Sequence, residues 1–256
     1  MAQGWLIVDK LGGSELDVGV LGGATAVPTI LVSLFGGVVA DRVDRRKLIM
    51  GVSAASTALL MLLAILDATS TVMIWHVVVI AAVQGLVMGF DGPVRSSYFP
   101  LLIERKHMTS AVVLGTVMWQ FSRLVTPIMG GFIIRYGGTE AVFFVGVLGW
   151  ASMLLVMISL KVSSLPVDKS RNVMGDIVEG VRFIRSRRDF VLLIGLTYAT
   201  HFFGMQYLQL MPFFAKRFER EADGYGIMLS ALGLGALTGT FVVGRIRSRS
   251  NIGYIM

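Results

Sequence analysis

An arginine in the middle of a long uncharged stretch is the residue in this sequence that most needs a chemical explanation. Arg123 is the single charged side chain between Thr109 and Ile134. As a bilayer-crossing helix, that stretch places Arg123 about 21 Å from one end and about 17 Å from the other. A central arginine costs at least ~2.5–3.5 kcal/mol on insertion scales, so it faces a bundle interior or an aqueous cavity. Two roles fit: a cation that binds substrate or helps coupling, or a structural arginine bonded to Gln84 or to backbone carbonyls. Gln84 sits at similar depth, about 18 Å from Val72 on an antiparallel segment, and Gln120 precedes Arg123 by less than a turn. Further along, Tyr198, His201, Met205 and Gln209 recur at i, i+3, i+7 and i+11, with Gln206 beside them. A polar stripe in an apolar helix lines a cavity or hydrogen-bonds to another helix. His201 can titrate near neutral pH. Arg123, Gln84, Gln120, Tyr198, His201, Gln206 and Gln209 are therefore the candidates for a substrate or coupling pathway.

Other chemistry finds no support. The chain has no cysteine, and its three histidines, His76, His107 and His201, are scattered. No metal site, Gly-rich phosphate loop or nucleophile–base pair is suggested by spacing. We expect no enzyme activity, no metal and no cofactor. No Asp or Glu falls in the middle of any complete apolar stretch, so a proton-carrying carboxylate is not evident.

The elements that must position these residues are written in the composition. Of 256 residues, 55% are hydrophobic and 15% charged, against about 25% charged in soluble domains; the mean hydropathy is +0.75. Charges gather between apolar runs long enough to cross a hydrocarbon layer about 30 Å thick. The runs are Val18–Ala40, Leu48–Leu66, Val72–Phe90, Thr109–Ile134, Ala141–Leu160, Phe190–Ala215 and Tyr225–Gly244. They are continuous rather than alternating, and too long for barrel strands of about 10 residues. The expectation is an all-α membrane protein with seven full transmembrane helices and lipid as its main partner. Pro28 would relax the first of these helices. Gly19 with Gly23, and Gly235 with Gly239, have small-xxx-small spacing suited to tight packing.

Lys and Arg set the orientation. One set of alternating loops carries Arg42, Arg45, Arg46 and Lys47; Arg95, Arg105 and Lys106; the basic stretch from Lys161 to Arg188; and Arg245, Arg247 and Arg249. The other set carries Lys10, Arg135, Lys216, Arg217 and Arg220. The first set is assigned to the cytoplasm. This bias accounts for the net charge of +7 without invoking nucleic acid.

Three parts follow: residues 1–162 as an N-terminal bundle, 163–189 as a cytoplasmic linker, and 190–256 as the start of a second bundle. In the linker Ile177, Val181 and Ile184 fall at i, i+4, i+7, which fits an amphipathic helix on the membrane surface or a solvated linker helix. Ala2–Val8 reads as a helical stub before an outer loop, and Ile252–Met256 as the opening of another span. The chain is thus expected to be a piece of a longer bundle.

The loop Gly37-Val-Val-Ala-Asp41-Arg42-Val-Asp44-Arg45-Arg46 resembles the loop between helices 2 and 3 of the major facilitator superfamily, Gly-x-x-x-Asp-Arg-x-Gly-Arg-Arg. Asp44 stands where a second glycine is usual. Acid and arginines at such a junction can form charge-assisted hydrogen bonds and cap helix ends. In the family the loop locks one conformational state, a role the resemblance extends to Gly37, Asp41, Arg42, Arg45 and Arg46. Ser122-Arg-Leu-Val-Thr126-Pro127-Ile-Met-Gly130-Gly131 looks like the fifth-helix signature of exporters, matching at Pro127, Gly130 and Gly131. Together with Gly89-Phe-Asp-Gly-Pro93-Val-Arg95, Trp5-Leu-Ile-Val and Glu179-Gly-Val-Arg-Phe-Ile184, these motifs resemble the enterobactin-exporter-like and macrolide-efflux branch.

That resemblance implies a major-facilitator-type bundle, here incomplete, in the inner (plasma) membrane of a bacterium. It implies proton-coupled export of a small amphipathic drug or siderophore by alternating access, acting as a monomer when full length. The rival expectations are a non-transporting fragment of such a protein and a permease subunit driven by a separate ATPase.

Overall fold

A computed structural model describes residues 1–160, 182–204, 207–218 and 221–246. All regular structure among them is helical. Helix α1 (Ala2–Trp5) continues as a π-helical turn, Leu6–Lys10; α2 is Glu15–Arg42, α3 Arg45–Ala68, α4 Ile74–Tyr98 and α5 Met108–Ser159. Then follow α6 (Arg188–Gly204), α7 (Tyr207–Arg217) and α8 (Ala222–Ile246). The amphipathic segment expected around Ile177 and Val181 lies outside the described residues, as do Met205 and Gln206. So do the side chains of Gly37, Asp41, Arg42, His201 and Gln209.

Four helices among the described residues are long and apolar enough to cross a membrane: those holding Glu15–Ser33, Arg45–Ala68, Ile74–Tyr98 and Ser110–Ser159. The last runs to 50 residues, twice the need, because two expected spans are joined without a loop. Gly138 alone leaves helical geometry, with φ 77 and ψ 174, a conformation essentially reserved for glycine. Thr139 meets Asp67 at the end of α3, while Met157 meets Arg46 at its start. The limb 139–159 therefore runs antiparallel to α3.

Large apolar side chains such as Leu114, Phe121, Leu148 and Leu155 stand exposed. In water that surface would drive aggregation; in lipid it is the solvated surface, and the backbone is satisfied within each helix. The chain is an integral membrane protein.

Glycine sets two close approaches, though not at the pairs expected from spacing. A Cβ built on Gly19, Gly23, Gly235 or Gly239 would meet nothing within 4 Å. On Gly85 it would stand 2.4 Å from the Thr25 carbonyl oxygen, and on Gly226 2.3 Å from that of Pro127. These positions let α4 close on α2, and α8 on the 108–137 limb. Spacing alone marks a small-residue face; which face meets a neighbour depends on the whole bundle.

Asp44, the departure from the family loop, has a structural use. Its carboxylate accepts from the backbone N–H groups of Arg46 at 3.0 Å and Lys47 at 3.4 Å, capping α3. Asp44→Ala is expected to cost about 1 kcal/mol, read as a lowered thermal unfolding midpoint in detergent, with Asp44→Ser close to wild type. Equal losses in both variants would count against the cap.

Candidate functional site

The 108–137 limb of α5 presents Arg123 to a cleft of about 400 Å3 shared with α7 and α8. Trp119, one turn earlier, and Thr126, nearly one turn later, lie on the same helical face and line it, as does Ser122. Leu208 of α7 with Leu229 and Leu232 of α8 form the apolar wall. Arg123 and Trp119 are both exposed. Among the described residues, the Arg123 guanidinium has no hydrogen-bonding or ionic partner.

The motif around Pro127 explains the shape. Proline has no N–H, so the Arg123 carbonyl, four residues earlier, loses its helical partner. Gly233 comes against that oxygen so closely that a Cβ there would stand 2.8 Å from it. Gly131 extends the contact: a Cβ on it would lie 2.5 Å from the Ala222 carbonyl oxygen. Gly130 is buried on the same limb, where a Cβ would meet the Met1 sulfur at 3.4 Å.

The other sequence candidates whose side chains are described, Gln84, Gln120 and Tyr198, do not converge on Arg123. Gln84 donates through Nε2 to Ser56 Oγ at 3.0 Å, joining α4 to α3; its Oε1 is buried without a partner. A bond between Arg123 and Gln84, one of the two structural roles considered, is therefore absent. Gln120 is half-buried and Tyr198 is exposed on α6; neither lines the cleft.

At the end that the charge count assigns to the cytoplasm, the arginines of the matched loop close helix ends. Arg46 donates from Nε to the Met157 carbonyl and from Nη2 to that of Ile158, both at 2.9 Å, satisfying carbonyls that the terminus of α5 leaves free. Arg45 Nη1 reaches the Ser97 carbonyl at 3.4 Å. On α4, Arg95 is held by Asp91 at 2.7 Å and lies over the Trp150 ring, 5.7 Å from its centroid.

At the opposite end stand ion pairs that sequence reasoning missed. Arg135 pairs with Glu221 at 3.1 Å and with Asp223. Lys216 pairs with Asp9 at 3.1 Å and donates to the Val8 carbonyl at 2.9 Å. Trp5 and Tyr225 stack, with centroids 5.5 Å apart. These contacts fasten α7 and α8 to α1 and α5 around a second cavity of about 410 Å3. Beside them Asp67, fully buried, accepts from Lys10 Nζ at 2.5 Å and from Thr139. Burial alone would lower the Lys10 pKa, but the hydrogen bond and charge of Asp67, with Glu140 at 3.7 Å, outweigh it and hold Lys10 above its usual value. The available signal was the sparse outer cations themselves: Lys10, Arg135 and Lys216, counted for orientation, each have an acidic partner.

Comparison with known families decides what these helices belong to. The profile of the transmembrane secretion effectors, a branch of the major facilitator superfamily, matches residues 1–255. The chain belongs to that family. It is similar to the staphyloferrin A transporter of Staphylococcus aureus, 23% identical over 234 residues, covering 90% of this chain and 58% of the relative. It is similar to the enterobactin exporter EntS of Shigella boydii, 24% identical over 247 residues, 94% of this chain and 57% of the relative. A third relative, the uncharacterised MFS-type transporter YfiS of Bacillus subtilis, is 26% identical over 193 residues, 73% of this chain and 44% of its own length. The chain spans about half the length of these curated relatives.

Proposed function

We propose that this chain carries part of the substrate path of a secondary exporter in a bacterial plasma membrane. Such a protein moves a small amphipathic compound, a siderophore or a drug, by alternating access and at the expense of a proton gradient. One observation carries the reading: Arg123 stands in a cleft between α5 and α8 with no partner among the described residues, at a position that helix rise puts near the middle of its span. That is where a transporter of this type holds its cargo, between bundles that rock about it. In this reading residues 1–162 belong to one bundle and 190–256 to the other, and the protein works as a single copy. The ion pairs and ring stack between Trp5, Arg135, Lys216 and their partners would then close the outer side, giving one of the two states that alternation requires.

The siderophore half of the reading rests on the names of the relatives, one a staphyloferrin A transporter and one an enterobactin exporter. The test uses inside-out vesicles from cells expressing the chain. An imposed pH gradient, acid inside, is expected to drive accumulation of at least one member of a panel of siderophores and amphipathic drugs, above vesicles lacking the protein. A protonophore should abolish it. Accumulation indifferent to the protonophore would overturn the proton coupling, and none across the panel would overturn the transport assignment.

A further inference from the structure

We propose that the Arg123 cleft selects amphipathic anions: compounds offering a planar oxygen anion such as a carboxylate beside an apolar or aromatic body. This deepens the transport reading by choosing between cargoes of opposite charge, and it rests on that reading only for its biological setting. The cleft holds one formal charge among its described lining residues, and that charge is positive. No carboxylate among the described lining residues neutralises it. The guanidinium presents a planar fork of donors that matches a carboxylate bidentately. Ser122 and Thr126, lining the same cleft, supply hydroxyls for further oxygen atoms. Trp119 and the leucines of α7 and α8 form a surface for a ring or chain.

The energetics point the same way. A cation at this depth carries a standing cost that an anion relieves on binding. A cationic drug would add a like charge in a medium of low dielectric, where repulsion is strong. A neutral drug would leave the guanidinium without a counter-charge. Of the three, the anion alone lowers the cost of keeping Arg123 where it is.

The experiment is calorimetric titration of the full chain in nanodiscs of neutral phosphatidylcholine, with empty discs as blank. The probes are 2-naphthoate and its uncharged isostere 2-naphthamide. The wild type is expected to bind naphthoate about tenfold more tightly, as a charge-assisted pair implies. Arg123→Gln should bring the ratio close to one, and Arg123→Lys should keep much of it. Trp119→Ala should weaken both probes together and leave the ratio standing. A wild type that binds both probes equally, or neither at millimolar concentration, overturns the proposal, as does a preference that survives in Arg123→Gln. If the glutamine variant does not fold, Arg123→Met, which keeps a long stem without the charge, takes its place and should likewise bring the ratio close to one. Naphthoate preference without transport in vesicles removes the exporter and leaves the anion site; transport of cargo without that preference removes the anion site alone.

Discussion

Gly226→Leu is expected to produce the larger stability loss of two superficially identical substitutions, the other being Gly235→Leu on the same helix. At Gly226 the first added carbon would stand 2.3 Å from the Pro127 carbonyl oxygen, 3.1 Å from its carbon and 3.2 Å from the Gly131 Cα. All three are backbone atoms, so no side chain can swing aside, and the 108–137 limb and α8 must part. Overpacking of this kind costs about 1–3 kcal/mol. Gly235 has nothing within 4 Å of its would-be Cβ, and substitution there should stay within about 0.5 kcal/mol apart from any propensity gain. Thermal unfolding of the purified chain in detergent reads both. The same separation would open the cleft that Gly233 and Pro127 shape, so Gly226→Leu should also weaken ligand binding. Equal midpoints for the two variants would refute the close approach.

Asp67→Ala is the second substitution expected to be costly. The carboxylate is fully buried, and its removal strands the Thr139 hydroxyl and most of the Lys10 pairing. Breaking a buried pair costs about 3–5 kcal/mol. Lys10 is 37% exposed and keeps both the Asp67 backbone carbonyl at 3.1 Å and Glu140, so about 2 kcal/mol is a sounder expectation after screening. Asp67→Asn, which still accepts from Thr139, should lose less. The sign with pH follows from Lys10, whose pKa is raised. Its contribution is complete below the usual lysine value and disappears as pH climbs past the raised one. The gap between wild type and Asp67→Ala, measured by chemical denaturation, should therefore hold steady on Lys10's account through neutral pH and narrow only in strong alkali. A gap that closed between pH 6 and 8 would exclude Lys10 as the source.

What the residues declared in advance, and what they did not, divides along physical lines. Helix and lipid exposure follow from local apolar length, so α2, α3, α4 and both limbs of α5 were legible. Arg123 was legible because one charge inside an apolar stretch must be accommodated. The loop residues Arg45 and Arg46 were legible as cappers by type and place, whereas Asp44 stood out only as a departure from the family glycine and its capping role came from the structure. Asp67 was not, because it sits one residue past the apolar run Leu48–Leu66 and looks like an ordinary loop acid. Its burial depends on Lys10 and Thr139, which lie 57 and 72 residues away. Arg135 and Asp223 are 88 residues apart, and no local pattern joins them. Glycine spacing misled for a related reason: Gly19 with Gly23 and Gly235 with Gly239 each mark one side of a helix, but only the assembled bundle decides which side is crowded.

Gly138 has a mechanical corollary. With a single residue out of helical geometry between the limbs of α5, there is no slack to absorb a displacement of one against the other. A hinge of that kind transmits torque as a crank does, where a long loop would behave as a rope. The free end of the crank is bolted at Met157 and Ile158 to the guanidinium of Arg46. Were the limb that carries Arg123 to shift, the base of α3, tied to the far end through Arg46, is the element that would have to follow.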